Sequence, residues 1–137
     1  LEDWLSAKNQ QPPAKYVFCI EDRSGNFVGM IGLVLGRAKY RCAEIWFKLA
    51  PEHWNKAYAS EAAERILHFA FNELQLHRVE AGCAVENMAS KRVLEKIGML
   101  QEGRCRQKLP IRGEWVDNFE YAILASDFRE MQAGRSS

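Results

Sequence analysis

Leu49-Ala50-Pro51-Glu52-His53-Trp54-Asn55-Lys56-Ala57-Tyr58-Ala59-Ser60-Glu61-Ala62 decides the fold, because it carries the chain out of a strand and into its longest helix. Just before it, from Ala43 to Leu49, Ile45, Phe47 and Leu49 alternate with Glu44, Trp46 and Lys48, the period of a strand with one buried face. After it the period changes. From Ala57 to Leu76, Ala59, Ala62, Ala63, Ile66, Ala70 and Leu74 share one helical face, and Glu61, Glu64, Arg65, His68 and Asn72 share the other. A helix that starts at a loop of small residues presents unpaired backbone N–H groups and the positive end of its dipole, a combination suited to phosphate. Most strand-to-helix junctions bind nothing, so this feature alone does not establish a site.

Working outward, Leu1 to Lys8 places Leu1, Trp4 and Leu5 on one helical face before the breaker run Asn9 to Pro13. Tyr16 to Ile20 and Phe27 to Leu35, separated by the turn signal Ser24-Gly25-Asn26, predict a hairpin. A second turn near Gly36 to Tyr40 leads into the strand Ala43 to Leu49, giving a sequential antiparallel unit. Downstream, Val79 to Val85 reads as a buried strand. Ala89 to Ile97 reads as a helix with a Val93, Leu94 and Ile97 stripe closed by Gly98. Met99 to Leu109 and Trp115 to Leu124 form a last hairpin around Arg112-Gly113, and Ser126 to Met131 a short helix. The order is three antiparallel strands, a helix, a strand, a helix and a last hairpin, which makes the expected fold class α/β.

The chain has 137 residues, enough for one domain with its own core. Nineteen basic residues against eighteen acidic give no strong field toward nucleic acid or an anionic membrane, so a bound anion must be held locally. Cys19, Cys42, Cys83 and Cys105 form no CxxC pair or Cys/His cluster, and the expectation is reduced thiols in a cytoplasm and no metal. His53, His68 and His77 are scattered rather than gathered.

A second chemical stretch, Asn87-Met88-Ala89-Ser90-Lys91-Arg92-Val93-Leu94-Glu95-Lys96-Ile97-Gly98-Met99, follows a strand directly. Read alone, Asn87 and Ser90 are capping residues and Lys91, Arg92 and Lys96 a solvated face. Together with the first stretch it resembles the GNAT acyltransferase superfamily. Pro51 to Ala62 is similar to the family's pyrophosphate loop in the variant P-E-x-W-G-K-G-Y-A-T-E-A. Asn87 to Met99 is similar to its N-x-x-S-x-x-v-l-E-K-x-G-f/m motif. Gly113 to Leu124 is similar to the G-x-W-x-D-x-x-x-Y-a-l tail of the ribosomal-protein N-terminal acetyltransferase branch. Asn55 and Ala57 stand where that loop has glycines. Leu94 stands where many members carry a tyrosine general acid.

The resemblance implies a mixed, mostly antiparallel twisted sheet flanked by helices, with a splay between two central parallel strands, Ala43 to Leu49 and Val79 to Val85, that holds acetyl-CoA. It places the pyrophosphate on Trp54, Asn55, Lys56, Ala57, Tyr58, Ala59 and Ser60 and the pantetheine arm near Leu49 and Asn87. It sets Arg92 toward the 3′-phosphate or adenine, Ser90 at the departing sulfur and Glu44 as general base through water. Glu44 read on its own is equally a solvent-facing cross-strand partner. Asp117 either orders the last hairpin or faces the acceptor. The implied activity is transfer of acetyl to a primary amine by direct attack in a ternary complex. The amine is a protein N-terminus, a small polyamine or amino acid, or an antibiotic amine. The alternative is an inactive CoA-binding or interaction module. A nucleotide switch is disfavoured, since no Walker or G-x-G-x-x-G pattern occurs. The resemblance further implies that the family's first strand and helix are missing from this single domain, with a homodimer as one way of covering the apolar surface so left.

Overall fold

The computed structural model describes residues 15–49 and 57–136. The expected helix Leu1 to Lys8, and the junction residues from 50 to 56, lie outside the described residues. Six strands make one sheet in the order β1-β2-β3-β4-β6-β5, with β1 Lys15–Glu21, β2 Phe27–Leu35, β3 Cys42–Leu49, β4 Arg78–Ala84, β5 Leu100–Ile111 and β6 Glu114–Leu124. Its helices are α1 Tyr58–His68, α2 Met88–Lys96 and α3 Ala125–Ser136. Every neighbouring pair is antiparallel except β3 and β4.

Alternation along the strands explains why the helices sit where they do. Tyr16, Leu33, Ile45, Ala43, Val79, Ala81, Tyr121 and Ile123 fall on one face and are all buried. The apolar stripes of α1 (Ala59, Ala63, Ile66, Leu67) and α2 (Val93, Leu94), with Phe128 of α3, join that same cluster. The opposite face carries Met30, Val34, Glu44, Glu80, Gly82, Asn118 and Glu120, and none of the described helices covers it. Gly98 ends α2 at φ +97°, a left-handed position that a side chain would disfavour and whose added Cβ would also strike the Met131 sulfur.

The helix expected from Ala57 to Leu76 is interrupted. α1 stops at His68 and gives way to a π turn, Phe69–Glu73, closed by the Leu74 N–H donating to the Phe69 carbonyl at 3.0 Å. Gln75 then turns the chain out at φ +56°. The wider turn reduces the angle between successive side chains, so Phe69, Ala70 and Phe71 are all buried where a regular helix would expose one of them. The last helix is also longer than the Ser126 to Met131 segment expected from sequence.

At the hairpin, the β5–β6 register breaks between Cys105 and Leu109, and Gln107 there adopts φ +49°. Asp117 supports this bulge: its Oδ1 accepts the Gln107 N–H at 2.8 Å and its Oδ2 accepts the Arg104 Nε–H at 2.7 Å. Of the two roles expected for Asp117, this geometry is that of hairpin ordering. The Gln107 N–H first, and Arg104 second, hold the carboxyl below its ordinary range. The stabilisation is therefore present above the unfolded carboxylate range and disappears as pH falls through the lower folded value. Asp117→Ala is expected to raise hydrogen exchange at the Gln107 amide near neutrality and to flatten its protection profile in acid. An unchanged profile measured by NMR would remove Asp117 from the support of the bulge.

Candidate functional site

β3 and β4 pair in parallel over only three positions, Cys42, Ala43 and Glu44 against Arg78, Val79 and Glu80. Past them the strands separate. β3 keeps β2 as partner as far as Leu49 opposite Gly29, and β4 keeps β6 as far as Ala84 opposite Asn118. Each strand thus loses its inner neighbour while holding its outer one, and the inner backbone edges open into a V. Such edges offer N–H and C=O groups to any extended, amide-bearing molecule laid between them.

The two strands run in the same direction and each leads toward a helix, so the N-termini of α1 and α2 both stand at the carboxyl end of the opening, where α/β sheets receive ligands. At α1 the N-cap residue Ala57, at φ −69°, ψ 12°, makes no side-chain capping bond. Ser60, buried, donates its hydroxyl to the Ala57 carbonyl at 3.2 Å. Ala57 is exposed and its φ is one that any L-residue adopts, so the backbone does not require the glycine expected there. Ala59 is buried, Tyr58 partly buried, and Leu49 buried at the end of β3. Trp54, Asn55 and Lys56 lie outside the described residues.

At α2 the cap is supplied by Asn87, whose Oδ1 accepts the Ser90 N–H at 3.0 Å. The Ser90 hydroxyl is different: the residue is 8 % exposed and that hydroxyl makes no hydrogen bond among the described residues. A buried hydroxyl without a partner calls for one. Arg92 is exposed on α2, while Lys91 lies 5.1 Å from the Phe119 ring centroid. Leu94 is buried in the core, and Glu95 accepts a bond from the Tyr121 hydroxyl at 3.3 Å, which with burial as the main cause pushes that phenol up to about 12.

Glu44 is the last residue of β3 paired with β4, exposed on the face away from α1 and α2 with Glu80 beside it. One residue pair further on, Trp46 leans over Gly32, whose missing side chain leaves room for the indole. The space above Gly82, across the opening, therefore stays uncovered by Trp46. Sequence reading passed over Gly82 and its neighbours Asn118 and Glu120 on β6. A glycine inside a strand was the available signal, since it marks close approach of another group. A cavity of about 690 Å³ on another flank of α1, lined among others by Phe18, Ile31, Tyr58, Arg65 and Phe69, is bordered by none of Glu44, Asn87 or Ser90. Among the described residues no His, Cys, Asp and Glu group could hold a metal, and no helix is long and apolar enough to cross a membrane.

A family model for the acetyltransferase (GNAT) domain matches residues 1–100. An uncharacterised N-acetyltransferase of Bacillus subtilis, YnaD, is 46 % identical over 85 residues, 62 % of this chain and 50 % of that protein. The spermidine N(1)-acetyltransferase of Vibrio cholerae is 32 % identical over 124 residues, 90 % of this chain and 72 % of its own. A solved variant of Vibrio cholerae spermidine N-acetyltransferase SpeG superposes with a TM-score of 0.81 at 29 % identity, covering 96 % of this chain and 78 % of that one. The chain spans 50 % to 58 % of the first three curated relatives it matches.

Proposed function

The chain belongs to the GNAT acetyltransferase family, and from that premise we propose that it binds acetyl-CoA in the opening between β3 and β4 and passes the acetyl group to a primary amine. The observation that carries this reading is the V-shaped opening with two helix N-termini at its carboxyl end. In it the pyrophosphate lies on the amides of residues 55–60, drawn by the positive end of the α1 dipole. The pantetheine amides run along the inner edge of β3 near Leu49 and meet Asn87, and Arg92 meets the 3′-phosphate or adenine.

The reaction is direct attack in a ternary complex. The amine arrives as ammonium, and Glu44, through a water molecule, takes a proton to free the nitrogen lone pair. The nitrogen bonds to the thioester carbonyl carbon and gives up a second proton to water, the C–S bond breaks, and the sulfur leaves as thiolate. The Ser90 hydroxyl donates a hydrogen bond to that sulfur, and water returns the proton to it. Leu94 offers no acid in place of the family's tyrosine. The Vibrio cholerae relative acts on spermidine by its name, and the acceptor proposed here is an amine of that broad kind, from a small molecule or a protein N-terminus.

Ligand binding to the native state adds stability of about RT ln(1 + [L]/Kd), roughly 2.7 kcal/mol at a hundredfold excess over Kd. Saturating acetyl-CoA is expected to raise Tm accordingly. Ala57→Gly is expected to tighten acetyl-CoA binding by removing the methyl from the phosphate approach, since it relieves no backbone strain. A flat melting temperature counts against the site. Weaker binding by a folded Ala57→Gly variant counts against the role given to that methyl.

A further inference from the structure

On the face away from α1 and α2, two residues beyond the last position at which β4 pairs with β3, Gly82 is exposed and borders the opening. A Cβ built on it would lie 2.8 Å from Asn118 Nδ2 and 3.3 Å from Glu120 Oε2, so both side chains lean from β6 across the glycine toward the opening. Asn118 is 4 % exposed. Its Nδ2 donates to the Phe119 carbonyl at 3.1 Å and to Glu120 Oε2 at 3.3 Å, while its amide oxygen accepts nothing among the described residues. A buried acceptor without a donor is costly unless something that enters the site supplies one.

Glu120 already handles an ammonium. Its Oε1 accepts Lys108 Nζ at 2.7 Å and the Cys105 thiol at 3.3 Å. The bulge after Cys105 lies between the two donors, and Asp117 holds it. Burial alone would push the Glu120 carboxyl up, but the bonds from Lys108 and Cys105 carry it below its ordinary range, so it is anionic near neutrality. Lys108 is held above its own range by Glu120 first and, least of the causes, by Glu44, which sets the general base in the electrostatic reach of this cluster.

We propose that Asn118 and Glu120, leaning over Gly82, are the acceptor-binding wall: the Asn118 amide oxygen and the Glu120 carboxylate take N–H donors of an incoming primary ammonium group while Glu44 faces it from β3. This rests on the acetyl-transfer reading for the direction in which the amine enters. It accounts for Gly82, because any larger residue would push Asn118 off the glycine, and for the unpaired amide oxygen. It also assigns acceptor affinity to β6, whereas acetyl-CoA affinity lies with β3 and the two helix N-termini.

The test uses spermidine as the probe, titrated calorimetrically into the protein saturated with CoA, with acetyl-CoA binding measured separately. Glu120→Gln and Asn118→Ser are expected to weaken spermidine binding by about ten- to a hundredfold each, the effect of losing a hydrogen bond to a charged group. Acetyl-CoA affinity should stay at its original value. Gly82→Ala should do the same by displacing Asn118, and Lys108→Met, which frees Glu120 from its internal partner, should tighten spermidine binding. No spermidine binding by the parent chain, or equal binding by the folded variants, overturns the wall. Loss of acetyl-CoA binding in the parent chain overturns the acetyl-transfer reading instead, and spermidine binding that still depends on Asn118 and Glu120 would leave the wall standing.

Discussion

Glu44→Gln is expected to lower turnover by roughly ten- to ten-thousandfold, the upper limit being that of general-base catalysis, with acetyl-CoA affinity nearly unchanged. The substitution keeps the shape of the side chain at the last position of β3 paired with β4 and removes only its capacity to take a proton. The amine would then react from its small neutral fraction near neutrality, so the rate of the variant should climb with pH toward the pKa of the amine. Steady-state kinetics across pH with saturating acetyl-CoA measure both effects. The other reading of Glu44, an exposed cross-strand neighbour of Val34 and Glu80, predicts no change in rate or pH profile, and that result would leave the proton to water.

Phe71→Ala is expected to cost about 3–5 kcal/mol, the usual loss for emptying an aromatic site in a packed core. Phe71 is 1 % exposed, and its ring centroid stands 5.1 Å from that of Phe128 on α3. Against a total stability of roughly 5–15 kcal/mol for a native domain, that loss is large. Denaturant titration should show a lower midpoint at an unchanged slope. Glu73→Ala, at an exposed position in the same π turn, should stay within about 0.5 kcal/mol of the parent. Comparable losses at both positions would mean that the turn itself, rather than the ring it buries, is what the structure depends on.

These residues also show what a sequence discloses and what it does not. Strand alternation at Ile45 and Leu49, the Asn87 cap, and the Gly98 stop are local signals, each determined by a few neighbours, and each is found in the structure. The π turn is not local in that sense. Phe69 and Phe71 lie on either side of the stripe that a regular helix would bury, and tertiary packing against Tyr16, Phe18 and Phe128 brings both inside. The opening between β3 and β4 was expected from family likeness, but its depth depends on where parallel pairing stops, which neither strand encodes by itself. Gly82, Asn118 and Glu120 escaped notice for a related reason. Gly82 lies more than thirty residues from the other two in the chain and meets them through the β4–β6 register.

The short parallel seam gives the molecule an unusual division of mechanical labour. β1, β2 and β3 form one hairpin-connected half-sheet and β4, β6 and β5 another, each stitched by long antiparallel ladders. Among the described residues the halves pair along the sheet over three positions, Cys42–Glu44 against Arg78–Glu80, with the His77 N–H donating to the Arg41 carbonyl at 2.7 Å just before them. Sliding or twisting of one half against the other is resisted by this seam together with the shared helical layer, in which α1 packs against α2. An extended molecule lying in the opening acts as a surrogate strand, lengthening the seam from within and making two weakly coupled plates respond as one.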